Sequence, residues 1–249
     1  PDAERAAGRV AGLSRPVFVR FAELGEAHVN RDLQVHTTAT DGEATVPEVL
    51  ARARSLGLAE IAFTEHVRRT STYFAAFAAQ VREARAAAGV TAYAGVEVKT
   101  LDERGTLDAS AATLADAEVV LGSVHRFPMP DGQFAPAEQF GYEEAVRREL
   151  ALALGLLRGA PIDVLAHPGG MCQRAFGRFP DEAFRTLMQA AEARGVAIEI
   201  NSAYTRDMDR FLALCREMNP LVSVGSDAHK LSELGACRDA LRRRGIGCA

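Results

Sequence analysis

The sequence predicts an α/β fold of parallel β/α units, arranged as a barrel more than as an open sheet. Three observations predict it. Seven short apolar runs rich in Val, Ile, Leu and Ala recur along the chain, and such runs suit strands buried on both faces. Longer amphipathic stretches alternate with them, as in repeated βα units. The length of 249 residues fits one barrel domain, since α/β barrels of about 250 residues are routinely single domains.

Taken in order, residues 1–30 form an Ala/Arg/Glu-rich N-terminal extension with Pro16 in its middle, helical or irregular, and the domain proper runs from 31 to 249. The predicted strands are Asp32–His36, Glu60–Thr64, Thr91–Val98, Glu118–Val124, Ile162–Ala166, Ala197–Ile200 and Leu221–Val224. Thr45, Pro47 and Glu48 supply a cap, a first-turn proline and a capping-box acid for the first intervening helix, which Gly57 closes. Helices follow at Tyr73–Ala88, Pro136–Arg158 and Asp181–Arg194, each with a glycine where a C-terminal cap wants one. Arg206–Glu217 and Leu231–Arg244 complete the series.

Composition sets the outer bounds. With 29 Lys+Arg against 33 Asp+Glu the formal net charge is −4. A mildly acidic chain has no global attraction for nucleic acid, so an anion must be held by a local site. No run approaches the ~18 apolar residues of a membrane helix, and no positively charged segment leads into a long apolar one. Four cysteines without a C-x-x-C pair are too sparse for a disulfide scaffold. A cytoplasmic protein with no membrane partner is therefore expected.

The polar residues then decide the chemistry. In a β/α barrel the functional groups gather at the C-terminal ends of the strands. His36, His66, His125, His167 and His229 all fall there, on five different strands, together with Asp41, Glu97, Glu199, Asn201 and Asp227. His28 lies outside the pattern and reads as a surface residue. Five imidazoles and several carboxylates at one level are costly to bury without a compensating cation. Imidazole with carboxylate suits zinc, manganese or iron, and the absence of Cys from the set argues against a closed structural zinc site.

The ordered series Asp32-Leu33-Gln34-Val35-His36, Thr40-Asp41-Gly42, Thr64-Glu65-His66, Gly95-Val96-Glu97, Ser123-Val124-His125, Ala166-His167-Pro168 and Gly225-Ser226-Asp227-Ala228-His229 resembles the PHP (polymerase and histidinol phosphatase) family of metal-dependent phosphoesterases. The stretch Asp102–Asp108 is similar to that of its small stand-alone bacterial members. The resemblance covers about residues 31–245 and implies a distorted (β/α)7 TIM-like barrel with two to three divalent ions at its mouth. It implies that Glu97 bridges two ions, one shared with His36 and Asp227 and the other with His125 and His167, and that Asp41, His66 and His229 hold a third. Glu97, Asp227, His229 and Arg126 are expected to take the catalytic roles. The family usually has a histidine where this chain has Gln34, whose amide oxygen is the weaker transition-metal ligand. Gln34 or water fills that place, or the site holds two metals, or it has lost its hydrolytic role.

The implied activity is hydrolysis of a small phosphomonoester by a hydroxide shared between metals. The alternatives are phosphodiester or exonuclease-like cleavage and a non-catalytic metal-binding module. Arg68, Lys99 and Arg126 stand beside the ligands as candidate phosphate contacts. Arg178, Arg206 and Lys230 are also near strand ends, although for these and for Lys99 a solvated surface charge is the commoner fate. Residues 128–140 and 169–180 read as walls around the mouth, and Phe127, Phe134 and Phe176 could pack on a substrate. Asp32 and Thr64 are candidate partners for the imidazoles.

Overall fold

The computed structural model describes residues 14–248. Its strands are β1 (Val19–Arg20), β2 (Arg31–Val35), β3 (Glu60–His66), β4 (Thr91–Lys99), β5 (Val119–Ser123), β6 (Phe127–Pro128), β7 (Phe134–Ala135), β8 (Val164–Leu165), β9 (Ala197–Asn201) and β10 (Leu221–Gly225). The helices are α1 (Glu26–Val29), α2 (Val46–Ser55), α3 (Phe74–Ala88), α4 (Ala111–Asp116), α5 (Tyr142–Gly159), α6 (Gly170–Phe176), α7 (Asp181–Arg194), α8 (Met208–Met218) and α9 (Ala236–Arg242). One eight-stranded sheet runs in the order β1-β10-β9-β8-β5-β4-β3-β2. The six pairings among β2, β3, β4, β5, β8, β9 and β10 are parallel, and β1 alone is antiparallel, on β10. All seven sequence-predicted strands are present, and the fold is mixed α/β with alternating helices.

The sheet curls until its ends approach. Past β2 and β10 the chain makes an isolated parallel bridge between Val35 and Ala228, with His36 N donating to Ala228 O at 2.9 Å and Ala228 N donating to Gln34 O at 3.3 Å. The two end strands are thus joined at the mouth by one bridge, not by a full ladder. Leu33, Ala62, Tyr93, Val119, Leu121, Val164, Ala166 and Ala197 form an apolar cluster without a single helical residue, so it lies on the concave face. The larger cluster, which includes the helices, fills the convex side.

Strand periodicity carries this inner face up to the mouth. Two-residue steps from Ala62, Tyr93, Leu121 and Ala197 arrive at Thr64 and His66, Gly95 and Glu97, Ser123 and His125, and Glu199 and Asn201. β2 needs a correction to reach the same end. Against β3 it carries one extra residue between Asp32 and Val35, so Leu33 faces the lumen while Val35 faces the helices. Without that bulge strict alternation would turn His36 outward.

Several local readings change. Residues 19–20 pair with β10 instead of being helical or irregular, a pairing too short to show as alternation; residues 1–13 of the extension lie outside the described part. The single helix expected at 136–158 is a 3-10 turn at Ala137–Gln139 and then α5, because Gly141 adopts an extended cap conformation. Gly159 is its last helical residue, not a left-handed cap. The helix expected at Leu231–Arg244 shortens to α9, since Gly235 is left-handed with φ 79°. The presumed loop at 169–180 contains α6, and that at 128–140 contains the β6–β7 hairpin.

Asp32, expected to orient an imidazole, instead ties β2 to the loop after β10. Its Oδ1 accepts from Ser226 N at 2.8 Å, and its Oδ2 accepts from Gly235 N at 2.8 Å and from the Ser226 hydroxyl. Asp32→Ala would leave these buried donors without partners, each costing about 1–3 kcal/mol. Urea unfolding should therefore show a loss of at least about 2 kcal/mol; an unchanged midpoint would show that the contacts are not stabilising.

Candidate metal centre

Glu97, at the end of β4, is the hub. Its side chain is only 2% exposed, and its two oxygens meet four imidazoles. Oε1 lies 2.7 Å from His125 Nε2 and 2.9 Å from His167 Nε2. Oε2 lies 3.4 Å from His36 Nε2 and 3.5 Å from His66 Nδ1. Asp227 adds an oxygen 3.0 Å from His36 Nε2. On the outer side Asp41 approaches His66 Nε2 at 3.4 Å, His229 Nε2 at 3.5 Å and His36 Nδ1 at 3.8 Å.

These contacts gather into three overlapping groups whose donor atoms lie within 4.8 Å of one another: His36 with Glu97 and Asp227, His66 with Glu97 and His125, and His36 with Asp41, His66 and His229. The orientation of the groups is that of a cation site. Among the described residues, both ring nitrogens of His36 and Oδ1 of Asp227 are buried without a hydrogen-bond partner, although the two residues stand 3.0 Å apart. Lone pairs that lie so close without aligning on each other converge on a shared point. His229 adds a fixed tautomer: Nδ1 lies 2.9 Å from the Asp227 carbonyl, which can only accept, so the neutral ring leaves Nε2 free to ligate.

The electrostatics agree. Burial opposes ionisation of Glu97, but the imidazoles, His125 foremost, outweigh it and hold the carboxyl well below its usual range. Burial likewise opposes a charged His36, yet Asp227 and Glu97 raise its pKa well above the ordinary imidazole value. His167 behaves in the same way and is raised to about 9. His66, more governed by burial, moves down. The centre therefore demands positive charge, which protons supply at some cost and divalent cations supply directly.

Acids around the centre hold the loops that carry the candidate ligands. Glu65 accepts from Thr37 N at 2.9 Å, from Thr37 Oγ1 at 2.7 Å and from the Thr40 hydroxyl, which fixes the loop carrying Asp41. In the same loop Gly42 packs so closely on the chain that a Cβ would lie 2.4 Å from His36 O. Glu199 Oε2 accepts from His167 N at 2.6 Å; burial raises its pKa to about 8. Glu233 accepts from His229 N at 2.9 Å. His167 and Asp227 both take positive φ, 28° and 56°, a conformation that non-glycine residues hold only under constraint.

Gln34 is fully buried beneath the cluster. Its Oε1 accepts from Asn201 Nδ2 at 2.8 Å, and the direction of that bond is set because Asn201 Oδ1 already accepts from Ala203 N and Tyr204 N. One lone pair of the Gln34 oxygen is thereby used, and its Nε2 has no partner among the described residues. Thr64, the other expected imidazole partner, has no partner for its hydroxyl among the described residues.

The cations divide. Arg126 lines the mouth, a cavity of about 440 Å³ bounded also by Asp41, His66, Glu97 and His229. Arg68 and Lys99 line a smaller neighbour of about 370 Å³ that shares Asp41 and His66. Lys99 is partly occupied, 3.5 Å from Asp108 and over the ring of Phe134. Arg178 lies over Tyr142, and Lys230 reaches Glu43 at 3.3 Å. Phe127 is fully buried against Phe140, and Phe176 packs edge-on to Tyr142. His28 stands apart in α1, where its Nδ1 accepts from Gly25 N. Two residues escaped sequence reasoning: Arg174, on α6, borders the mouth, and Tyr204 stacks on His167 with centroids 4.4 Å apart. Only the helix hidden in residues 169–180 could have pointed to Arg174.

Fold and donor set together define a barrel-like α/β protein with candidate sites for divalent cations. The chain belongs to the PHP domain family, whose description it matches over residues 32–203. A "Probable phosphatase" of Thermoanaerobacter sp. (strain X514) is 29% identical over 162 residues, 62% of this chain and 59% of that protein. The match to this relative thus spans about three-fifths of its length. A "Probable phosphatase" of Shewanella amazonensis is 26% identical over 215 residues, 82% of this chain and 78% of that protein. The fold is shared with a crystal structure from Listeria monocytogenes titled "putative histidinol phosphatase", with TM-score 0.65 and 17% identity, covering 82% of this chain and 97% of that one. Among the described residues no helix is long and apolar enough to cross a membrane.

Metal removal should expose the charge problem. The metal-free chain gains stability from protonated His36 and His167, whose pKa values are raised on folding. That contribution is full below the free imidazole value near ~6.5 and is lost as pH rises through about 9. Added manganese or zinc should reverse the trend, since imidazoles must be neutral to ligate, and should raise stability by about 2.7 kcal/mol at a hundredfold excess over Kd. Thermal melts with and without chelator across pH 6–10 check both; melts that ignore added metal at every pH would contradict the site.

Proposed function

We propose that this chain is a metal-dependent phosphoesterase acting on a small phosphomonoester, with Glu97 at the centre of the machinery. The observation that carries the reading is the convergence of five imidazoles on Glu97, Asp41 and Asp227 in a cavity also lined by Arg126 and Arg174. In this reading His36, Glu97 and Asp227 hold one cation, Glu97, His125 and His167 a second, and Asp41, His66 and His229 a third. The ions are zinc, manganese or iron, the metals suited to imidazole with carboxylate. Such cations supply Lewis-acid charge for a phosphoryl group and acidify water near neutral pH.

The chain's own residues do the rest. Phosphoryl transfer depends mainly on positioning and charge stabilisation. Arg126 and Arg174 border the mouth and would donate to the non-bridging oxygens of a bound ester, with Arg68 and Lys99 lining the adjoining cavity. Glu97 holds His125 and His167 on one side of the site, and Asp227 holds His229 in one tautomer. Tyr204 covers His167 and shields that imidazole from water. A small substrate suits the 440 Å³ of the mouth, which lies within the volumes typical of ligand pockets. The functional residues all lie beyond residue 31, and the protein works in the cytoplasm.

Two measurements test this. Metal analysis by mass spectrometry should find at least two divalent ions per chain, and Glu97→Ala should lose most of them. Because Glu97 is buried, Glu97→Gln serves as the second variant; it keeps the shape and should still lower phosphomonoester turnover by about a hundredfold or more. Gln34→His, which adds an imidazole, should bind metal more tightly. Bound metal without turnover of any mono- or diester would make the chain a binding module, and full activity in Glu97→Gln would refute the bridging role.

A further inference from the structure

Arg174 borders two cavities. One is the mouth. The other, about 840 Å³, starts at Asp227 and His229 and runs outward between residues 202–206 and the end of α9, where Arg206, Arg243 and Arg244 line it. Its volume is that of a small-molecule site. It is continuous with the metal centre through Asp227, His229, Arg174 and Tyr204.

What sets this groove apart is that its unpaired guanidinium groups line a cavity joined to the candidate metal centre. Arg20, Arg147, Arg185 and Arg210 are neutralised on the protein itself, by Glu192, Glu144, Glu217 and Asp181. Within the groove Arg244 is paired too, 2.6 Å from Asp209. Arg206 and Arg243 are not; among the described residues their guanidinium groups meet no carboxylate. The acids that share the groove are otherwise engaged: Asp227 faces His36, and Glu233 accepts from His229 N and Lys230 N.

The position of Arg206 is also built. Its backbone N donates to Oε1 of Gln173 at 3.1 Å, a side chain buried on α6 whose Nε2 reaches Pro168 O, next to His167. The preceding residues are folded on Asn201, whose Oδ1 accepts from Ala203 N and Tyr204 N and whose carbonyl accepts from Thr205 N. The backbone at Arg206 is thus fixed relative to a candidate ligand. Met208, Ala236 and Ala240 give the groove an apolar floor between its charged ends.

We propose that this groove is a subsite for a second anionic group, a phosphate or carboxylate carried on the same small molecule as the ester at the metal centre and gripped by Arg206 and Arg243. Guanidinium suits both oxyanions because its planar donors match them in pairs. The proposal rests on the phosphoesterase reading above and narrows its substrate to esters with an anion at each end.

Non-hydrolysable probes separate the two claims. Alkane-α,ω-bisphosphonates of increasing chain length, and the alkyl monophosphonates of the same lengths, are titrated by calorimetry into the manganese-loaded protein. At the length that spans the groove, the bisphosphonate should bind at least tenfold more tightly, and an α-carboxy-ω-phosphonate series distinguishes carboxylate from phosphate. The double variant R206A/R243A should lose that preference. Simple extraction of metal by the probe would not depend on these arginines. Equal affinity of both probe classes at every length, or a preference untouched in R206A/R243A, overturns the subsite. A protein that hydrolyses monoesters without the preference loses the groove proposal alone; one that shows the arginine-dependent preference but hydrolyses no ester keeps it and loses the hydrolase reading.

Discussion

A carboxylate taken almost wholly out of water governs this structure. An isolated buried carboxylate is among the costliest groups a fold can carry. Glu97 is tolerated because His36, His66, His125 and His167 arrive at it from four other segments. Those segments come from across the chain, so the barrel-like curl of the sheet and the charge balance at its mouth are one requirement. A strand out of place would leave an imidazole without its carboxylate, and Glu97 without compensation.

The requirement extends one layer outward. Asp32, Glu65, Glu199 and Glu233 hold backbone amides of the loops that carry Asp227, Asp41, His167 and His229. Each is an acceptor directed at a specific amide, so the candidate ligands are placed by hydrogen bonds as well as by packing. This explains how His167 and Asp227 can keep strained positive φ values: their neighbours are held from both sides. The arrangement is preorganised, which suits chemistry that depends more on position than on covalent participation.

Much of this was legible in the sequence because strands broadcast themselves. Seven apolar runs located seven strands, and the ends of those runs brought Glu97, His66 and His125 together as candidates. The bulge in β2 was not legible, because one extra residue changes no composition; yet it decides that His36 points inward. Asp32 read as a partner for an imidazole and proved to hold Ser226 and Gly235, since a carboxylate in a strand does not reveal which loop will fold over it. Arg174 and Tyr204 were missed because their relevance depends on α6 and on the loop after β9, where tertiary contact, not periodicity, sets the path. Gln34 stood out in sequence, whereas its bond to Asn201, made across 167 positions, could come only from the fold.

The central claim is that Glu97 is held by cations shared with the surrounding imidazoles. Diffraction from crystals grown with manganese, recorded at the metal's absorption edge, tests it most directly. The account predicts at least two anomalous peaks within bonding distance of Glu97, one beside His36 and Asp227 and one beside His125 and His167. Clean anomalous maps at the mouth, with the imidazoles bonded only to protein oxygens, would contradict it.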